Sequence, residues 1–525
     1  MTFLSGKFLF FVIAAVVFYF LVPLKHRWIV LLVSSMIFYA SSGIQMVPFL
    51  LVTTAVVYGA ARWIDSVYEK RLAYIKEQGP DRAEKKRLQQ LDKKKCRRIL
   101  TGALVIVIGI LVYCKAGSRL LSALSHVFEE GRLDWVKIIV PLGVSYYTFS
   151  AVGYLADIYW KREKAERNFF KLLLFLSYFP HILQGPIARH KHLAGQLVEG
   201  HPFDVKRISY GLQLALWGYF KKLVMADRLV IFTNEVFGNF AEYKGVVFIV
   251  ATLLSGLQLY CDFSGCMDIA RGISQIFGVE LEKNFDHPFF ARSAAEFWRR
   301  WHITLGAWFK DYVYMPLVVS PKLGRLSRNV SKKLGNRVGK AVAVVIPLGC
   351  VWILTGLWHG TGYNYIAWGI YWGTLIILST VFAPEIEKLT KLFRINTEAD
   401  SWKVIQMVRT YCLFSFGRLL TVPGSLHATA DIIKRTISWH DLWSFFDGSL
   451  YGYGLDAKDF ALLFVTVLIL WAVSMLQERG SVRDRIAGYN LVVRWGIYYA
   501  AIFAIVIFGI YGPGYDSSAF LYMGF

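Results

Sequence analysis

Residues 341–360 read Ala-Val-Ala-Val-Val-Ile-Pro-Leu-Gly-Cys-Val-Trp-Ile-Leu-Thr-Gly-Leu-Trp-His-Gly. The run 341–357 carries no charged residue. A membrane-spanning helix needs about 20 mostly apolar residues, each adding about 1.5 Å across a hydrocarbon core of about 30 Å. The run therefore predicts a helix that crosses a bilayer. On its N-terminal side, 320–340 holds Lys322, Arg325, Arg328, Lys332, Lys333, Arg337 and Lys340 with no acid. Short basic loops stay on the cytoplasmic side. The helix should run outward and deliver His359 near the far face.

The same pattern recurs along the 525 residues. Apolar runs at 5–23, 28–42, 46–62, 99–115, 136–158, 245–261, 341–357, 363–382, 403–422, 459–476 and 491–511 predict about eleven spans. Only helices or closed barrels can satisfy their backbone in lipid, and long unbroken runs select helices. The predicted fold class is an all-α polytopic membrane protein. Composition agrees: charged residues are 18% and mean hydropathy is +0.44, against about 25% charged in soluble domains. That excludes a disordered chain, and six cysteines exclude a disulfide scaffold. No Cys-x-x-Cys pair occurs, so no metal centre is expected. The net charge of +23 is read as basic loops facing anionic lipid, with no nucleic-acid partner.

Parity fixes the predicted orientation. The stretch 63–98 has twelve basic and six acidic residues and should be a cytoplasmic helical segment. Counting back through three spans places the N-terminus outside; counting forward places 477–490 inside and the tail from Gly512 outside. The first apolar run, Phe8 to Leu21, is read as a retained span and not a cleaved signal. The middle fits plain spans poorly. Phe169 to Leu183 stops at Gln184-Gly185-Pro186, and Tyr210 to Phe220 is flanked by Arg207 and Lys221-Lys222. Such short apolar pieces with basic flanks suggest re-entrant or interfacial elements, tolerated only where protein or a wet cavity covers them. A site is expected there. No internal repeat is evident, which disfavours a transporter, although a transporter or channel using polar midplane groups stays open.

Eleven histidines occur. His126 and His440 fall in predicted outer loops. His359 lies among Gly356, Gly360 and Gly362, which permit close backbone approach; a side chain that titrates near neutrality inside a membrane is a functional candidate. His302 sits in Glu296-Phe297-Trp298-Arg299-Arg300-Trp301-His302-Ile303-Thr304-Leu305. Phe297, Trp301, Leu305, Trp308 and Tyr312 share one face of a helix, so one amphipathic interfacial helix is expected. Arg299 and Arg300 either lie at the interface or meet a donor's phosphate. His181, after Pro180, is read as structural. Asp262 and Asp268 follow an apolar run and need partners; Arg271, Arg299 and Arg300 are the candidates, and a tunnel wall is the other reading.

These segments resemble the membrane-bound O-acyltransferase family. The match rests on Asp262-Phe263-Ser264-Gly265, Asn284-Phe285-Asp286-His287-Pro288-Phe289, the 296–305 run, Asp311-Tyr312-Val313-Tyr314 and Leu357-Trp358-His359-Gly360. Pro180-His181, Gly185-Pro186 and the ending from Tyr511 to Phe525 fit its alginate O-acetyltransferase branch. The resemblance implies one transmembrane domain over 1–525: a helical ring with a thin floor between an outer and a cytoplasmic funnel, its core at 168–340 and extra C-terminal spans at 403–525. It implies His359 as catalytic, His302 as the second functional histidine, and Trp358, Trp301, Arg299 and Arg300 beside the substrates. Pro316 leads into Val318-Val319-Ser320-Pro321 where that branch often has a Gly-Gly-Asn-Arg-like turn, so the donor-side loop should differ.

The implied reaction moves an acyl group, most simply acetyl, from a cytoplasmic thioester to an extracytoplasmic hydroxyl. The donor would be acetyl-CoA or an acyl-carrier thioester, with no resident cofactor. The acceptor would be a cell-envelope polysaccharide or a serine of an SGNH-type acetyltransferase partner. D-alanyl transfer to teichoic acid from a carrier protein is the alternative.

Overall fold

The computed structural model describes residues 1–125, 139–438, 441–512 and 515. His126, His440, the 136–138 start of one expected span and most of the expected Gly512–Phe525 tail lie outside them. The regular structure of the described residues is helical; the only pairing of extended backbone among them is one antiparallel bridge, Phe285 to Trp301. They form two compact units, Met1–Gly211 with Ala270–Glu282, and Leu212–Ile269 with Lys283–Gly524.

The first unit begins with α1 (Gly6–Leu21), α2 (Arg27–Ser41), α3 (Val47–Gln78) and α4 (Arg82–Ser125). The basic 63–98 stretch is indeed helix: it is the end of α3, a turn at Gly79 (φ +52°), and the start of α4. Arg71 clamps Asp92 across this hairpin with two bonds, 2.7 and 3.1 Å. Behind it come α5 (Val144–Tyr159), α6 (Phe169–Ser177), α7 (Phe179–Ile182) and α8 (His190–Glu199). The α6–α7 segment is buried along nearly its whole length, as expected of a short apolar piece covered by protein. Phe179 seats it against Phe8, Phe11 and Phe38, with Phe11 edge-on at 5.2 Å. A Cβ on Gly143 would lie 1.8 Å from Ile182 O, so only glycine lets the start of α5 meet α7.

The second unit holds α9 (Val205–Tyr219) from Leu212 onward, a π-helical turn (Phe220–Ala226), α10 (Asp227–Gly238) and α11 (Val246–Ile276) up to Ile269. Then follow α12 (Ala294–Arg300), α13 (Ile303–Phe309), a second π-helical turn (Lys310–Tyr314), α14 (Met315–Val318), α15 (Pro321–Leu334), α16 (Asn336–His359) and α17 (Tyr363–Val381). The chain closes with α18 (Ala383–Leu392), α19 (Asp400–Leu419), α20 (Leu426–Ile437), α21 (Ala457–Glu478), α22 (Val482–Ala487) and α23 (Leu491–Phe508).

Among the described residues six helical stretches are long and apolar enough to cross a membrane: Ile44–Gln78, Arg82–Gly117, Val246–Ile276, Asn336–His359, Ala457–Glu478 and Leu491–Phe508. A seventh results if α17 and α18, bent by 66° at their junction, count as one. The other runs among the eleven expected give shorter or more polar helices, such as the 16-residue α1 and the 15-residue α2. Lys221 and Lys222, expected as flanking charges, are instead buried inside the π-helical turn.

Candidate functional site

His359 is the last residue of α16, where Gly360 donates its N–H to Gly356 O at 3.2 Å. Its imidazole is buried, with the Trp358 and Trp368 rings 4.7 and 4.8 Å away. The position is set by backbone contact between α16 and α17. A Cβ on Gly356 would stand 2.5 Å from Tyr365 O, and one on Gly369 would stand 2.5 Å from Trp352 O. Nothing larger than hydrogen fits at either place. The α16–α17 hairpin is thus pinned one turn before the histidine.

His302 is reached differently. The aromatic repeat predicted one helix through 296–312, but the helix breaks at Trp301–His302 into α12 and α13. The cause is Asn284-Phe285-Asp286, which pairs with the break as a short antiparallel bridge: Asp286 N–H donates to Arg300 O (2.9 Å) and Ile303 N–H to Asn284 O (3.0 Å). His302 itself takes a left-handed conformation, φ +47° and ψ +50°, which costs a non-glycine residue of order 1–3 kcal/mol. The bridge and the Asn284 side chain offset that cost. Asn284 Oδ1 accepts from Thr304 N–H at 3.0 Å and from Thr304 Oγ1–H at 2.9 Å, capping the first turn of α13 from a separate segment.

Asn284 also decides the histidine's tautomer. Its Oδ1 lies 3.4 Å from His302 Nδ1. A backbone N–H can only donate, so Thr304 identifies this amide atom as the oxygen. An amide oxygen only accepts, so His302 Nδ1 carries the proton in this bond and Nε2 is the lone-pair nitrogen. The ring is buried, edge-on to Phe263 at 4.9 Å and to Trp358 at 5.7 Å. Trp358 therefore touches both imidazoles, packing against His302 and adjoining His359.

The remaining sequence candidates meet partners of their own. Trp301 is buried, stacked on Phe297 at 5.4 Å and packed on Phe414 at 4.8 Å, which is a core position. Trp298 joins Trp352, Trp368 and Trp372 within 5.0–5.6 Å and couples α12 to the α16–α17 hairpin. Arg299 is exposed. Arg300, a candidate for donor phosphate, is engaged by Glu296 (3.0 Å), Glu478 (3.0 Å) and Asp286 O (3.3 Å). His181 lies in the first unit, buried, with its Nε2 3.0 Å from Phe175 O.

Asp262 and Asp268 find different partners from the arginines expected. Lys222 Nζ bridges Asp262 (2.5 Å) and Asp227 (2.8 Å), while Lys221 Nζ bonds Asp268 (2.7 Å) and Ser264 Oγ (2.8 Å). Tyr515 O–H donates to Asp227 at 2.7 Å. The lysines, Asp227 and Asp262 are buried, and desolvation of such charges is compensated only by close opposite charge. The network locks α11 to the π-helical turn; Gly218 and Gly265 permit that approach, a Cβ on either falling within 2.8 Å of the other's carbonyl. Phe263, beside Asp262, is thereby held against His302. Sequence reading missed Asn284, Lys221 and Lys222 as site-building residues. Asn284 stood in the quoted 284–289 segment; two lysines closing an apolar run gave no sign of burial.

The model of MBOAT, the membrane-bound O-acyltransferase family, matches residues 160–420, which includes both histidines, Asn284 and Trp358. A probable alginate O-acetylase AlgI of Pseudomonas syringae pv. tomato is 30% identical over 66% of this chain and 61% of its own. A peptidoglycan O-acetyltransferase of Helicobacter pylori is 30% identical over 50% of this chain and 52% of its own. A teichoic acid D-alanyltransferase of Streptococcus thermophilus is 29% identical over 48% and 59% respectively. The chain thus spans about three fifths of the alginate relative it matches, or less of others. With the family's model laid over the segment that builds the two-histidine arrangement, the chain belongs to the membrane-bound O-acyltransferase family.

Proposed function

We propose that the chain is an O-acyltransferase of the cell membrane that carries an acyl group, acetyl above all, from a cytoplasmic thioester to an extracytoplasmic hydroxyl. The observation that carries this reading is the pair of buried imidazoles, His302 and His359, sharing contact with the Trp358 indole. The relatives add the reaction class, since their names specify O-acetyl or D-alanyl transfer to envelope polymers. The basic 320–340 stretch supports a cytoplasmic start for α16, whose 24 residues extend about 36 Å, enough to put His359 at the far face.

In this scheme neutral His359 accepts the acceptor's hydroxyl proton as the oxygen attacks the thioester carbonyl. A C–O bond forms, the C–S bond breaks, and the thiolate leaves on the cytoplasmic side and takes up the proton. A positioned general base contributes about 10²–10⁴-fold, and holding both substrates at one dry point contributes more. His302, with its proton on Nδ1, turns Nε2 toward the donor side as an acceptor. Trp358 shapes the narrow point between the histidines, and exposed Arg299 meets the donor's phosphates. The acceptor is an envelope polysaccharide or a serine of an SGNH-type partner that passes the group on.

The acetyl reading takes precedence over D-alanyl because the alginate relatives match more of the chain than the teichoic acid ones. The test is His359→Ala in the native host, with membrane abundance checked by blotting and envelope glycans analysed by mass. Loss of O-acetyl groups at unchanged abundance is expected. Full acetylation in the variant refutes the role of His359, and D-alanyl esters lost in its place refute the choice of donor.

A further inference from the structure

We propose that α15 and α18 form an anionic-phospholipid binding surface at the foot of the α16–α17 hairpin, with lipid phosphate as the ligand. The argument starts from the three faces of α15. Ser327 and Ser331 form a small face against α16: Ser327 Oγ donates to Gly339 O at 2.9 Å, and a Cβ on Gly339 would sit 1.8 Å from Ser331 Oγ. Leu323, Leu326, Val330 and Leu334 follow the helical repeat along a second face. Arg325, Arg328 and Lys332 occupy the third, with Lys322 and Lys333 at its border. A solvated basic loop would not display leucines, yet Leu326 is 45% and Leu334 66% exposed. Nothing in 320–340 is acidic.

The second element shares the exposed apolar edge, while within α18 Lys388 and Lys391 are matched by Glu385 and Glu387. The 66° bend between α17 and α18 turns α18 away from the axis of the apolar helix before it. Arg337 at the start of α16 pairs with Glu385 on α18, placing α15 and α18 at the same end of the hairpin. Leu392 and Phe393 are 73% and 70% exposed, and Lys388, Lys391 and Arg394 accompany them. Of these, Lys391 is paired with Glu387. A cationic helix with exposed leucines beside a second helix with an exposed apolar edge, both adjoining a spanning hairpin, matches the boundary between acyl chains and phosphate headgroups, with α15 supplying most of the charge. Charge complementarity selects anionic lipid over zwitterionic. The apolar stripes select lipid over an acidic soluble protein, which would leave the leucines in water.

The test uses the full chain in nanodiscs of phosphatidylcholine alone or with phosphatidylglycerol. A cationic residue near an anionic surface contributes about 1 kcal/mol, so Arg325→Gln/Arg328→Gln/Lys332→Gln should weaken phosphatidylglycerol retention roughly 100-fold. Native mass spectrometry reads retained lipid, and the thermal midpoint reads the coupling. The unmodified protein is expected to gain a higher midpoint with phosphatidylglycerol, falling with added salt. The triple variant should lose that gain at an unchanged midpoint in phosphatidylcholine. Lys93→Gln/Lys94→Gln/Lys95→Gln on α4, an equal loss of charge, should keep it. Equal loss in both variants, or an undiminished lipid response in the α15 variant, overturns the proposal. So does a variant that keeps its lipid response while losing capture of an acidic carrier protein.

Discussion

Asn284 provides the sharpest test of how the His302 arch is built. Asn284→Ala removes one oxygen that receives Thr304 N–H, Thr304 Oγ1–H and faces His302 Nδ1. A buried donor left without an acceptor costs about 1–3 kcal/mol. The Thr304 hydroxyl can rotate to another acceptor, so two donors carry the loss and the expected destabilisation is about 2–5 kcal/mol. The left-handed His302 backbone then lacks one of the contacts that impose it. Asn284→Asp keeps an accepting oxygen but loses the amide contact to Met267 Sδ at 3.4 Å and buries a carboxyl, so it should recover part of the stability, and more of it at acidic pH, where the carboxyl is neutral. Thermal unfolding in detergent measures this, alongside acyl transfer in membranes. A structural cap and a tautomer lock are separated by ¹⁵N spectra of the histidines, differenced against a His302→Gln sample. The His302 signal should show a protonated Nδ1 in the native protein and lose that preference in Asn284→Ala. The reasoning is refuted if Asn284→Ala unfolds at the native temperature with native activity, or if Asn284→Asp is damaged as severely as Asn284→Ala at acidic pH as well as at neutral pH.

Other outcomes follow from the same geometry. Lys222→Met leaves Asp227 and Asp262 buried without their shared cation, a loss of about 3–5 kcal/mol; pulse proteolysis in membranes should show a large rise in the unfolded fraction, and near-native resistance would contradict the assigned pairing. Gly356→Ala must open α16 from α17, since its Cβ would meet Tyr365 O at 2.5 Å; overpacking costs about 1–3 kcal/mol and a displacement near 1 Å can cost about 10²-fold in rate, so transfer should fall far more than abundance. Arg300→Gln should lower the melting temperature with little change in the apparent KM for the thioester, because Arg300 is held by Glu296 and Glu478; a large rise in KM alone would return it to the donor.

The fold's elements were legible where a single physical signal dominated. The uncharged 341–357 run became α16, and the glycines around His359 became the close contacts that position it. The basic 63–98 stretch became the α3–α4 hairpin because helix formers fill it on both sides of Gly79-Pro80, the pair at which the turn falls. The break at Trp301–His302 was not legible, since the aromatic repeat continues through it unchanged and the force that breaks it comes from Asn284, eighteen residues upstream. Lys221 and Lys222 were misread for a related reason. Two adjacent lysines after an apolar run look like a water-facing stop, and only the folded placement of Asp262, forty positions away, reveals that their charge is neutralised inside. Six described helices are long and apolar enough to cross a membrane, and α1 and α2 fall short of that length although their apolar runs are unbroken.

Glu478 ends α21 and reaches Arg300 and His287 at 3.0 and 3.2 Å, while Tyr515 reaches Asp227. Both lie beyond residue 420, where the family's shared region stops. The peripheral C-terminal helices therefore act as a buttress: they brace the short helix before His302 and cap the lysine network from outside. Trimming the protein to its shared region would keep both buried histidines, Asn284 and Trp358 and remove the scaffolding that keeps them in register.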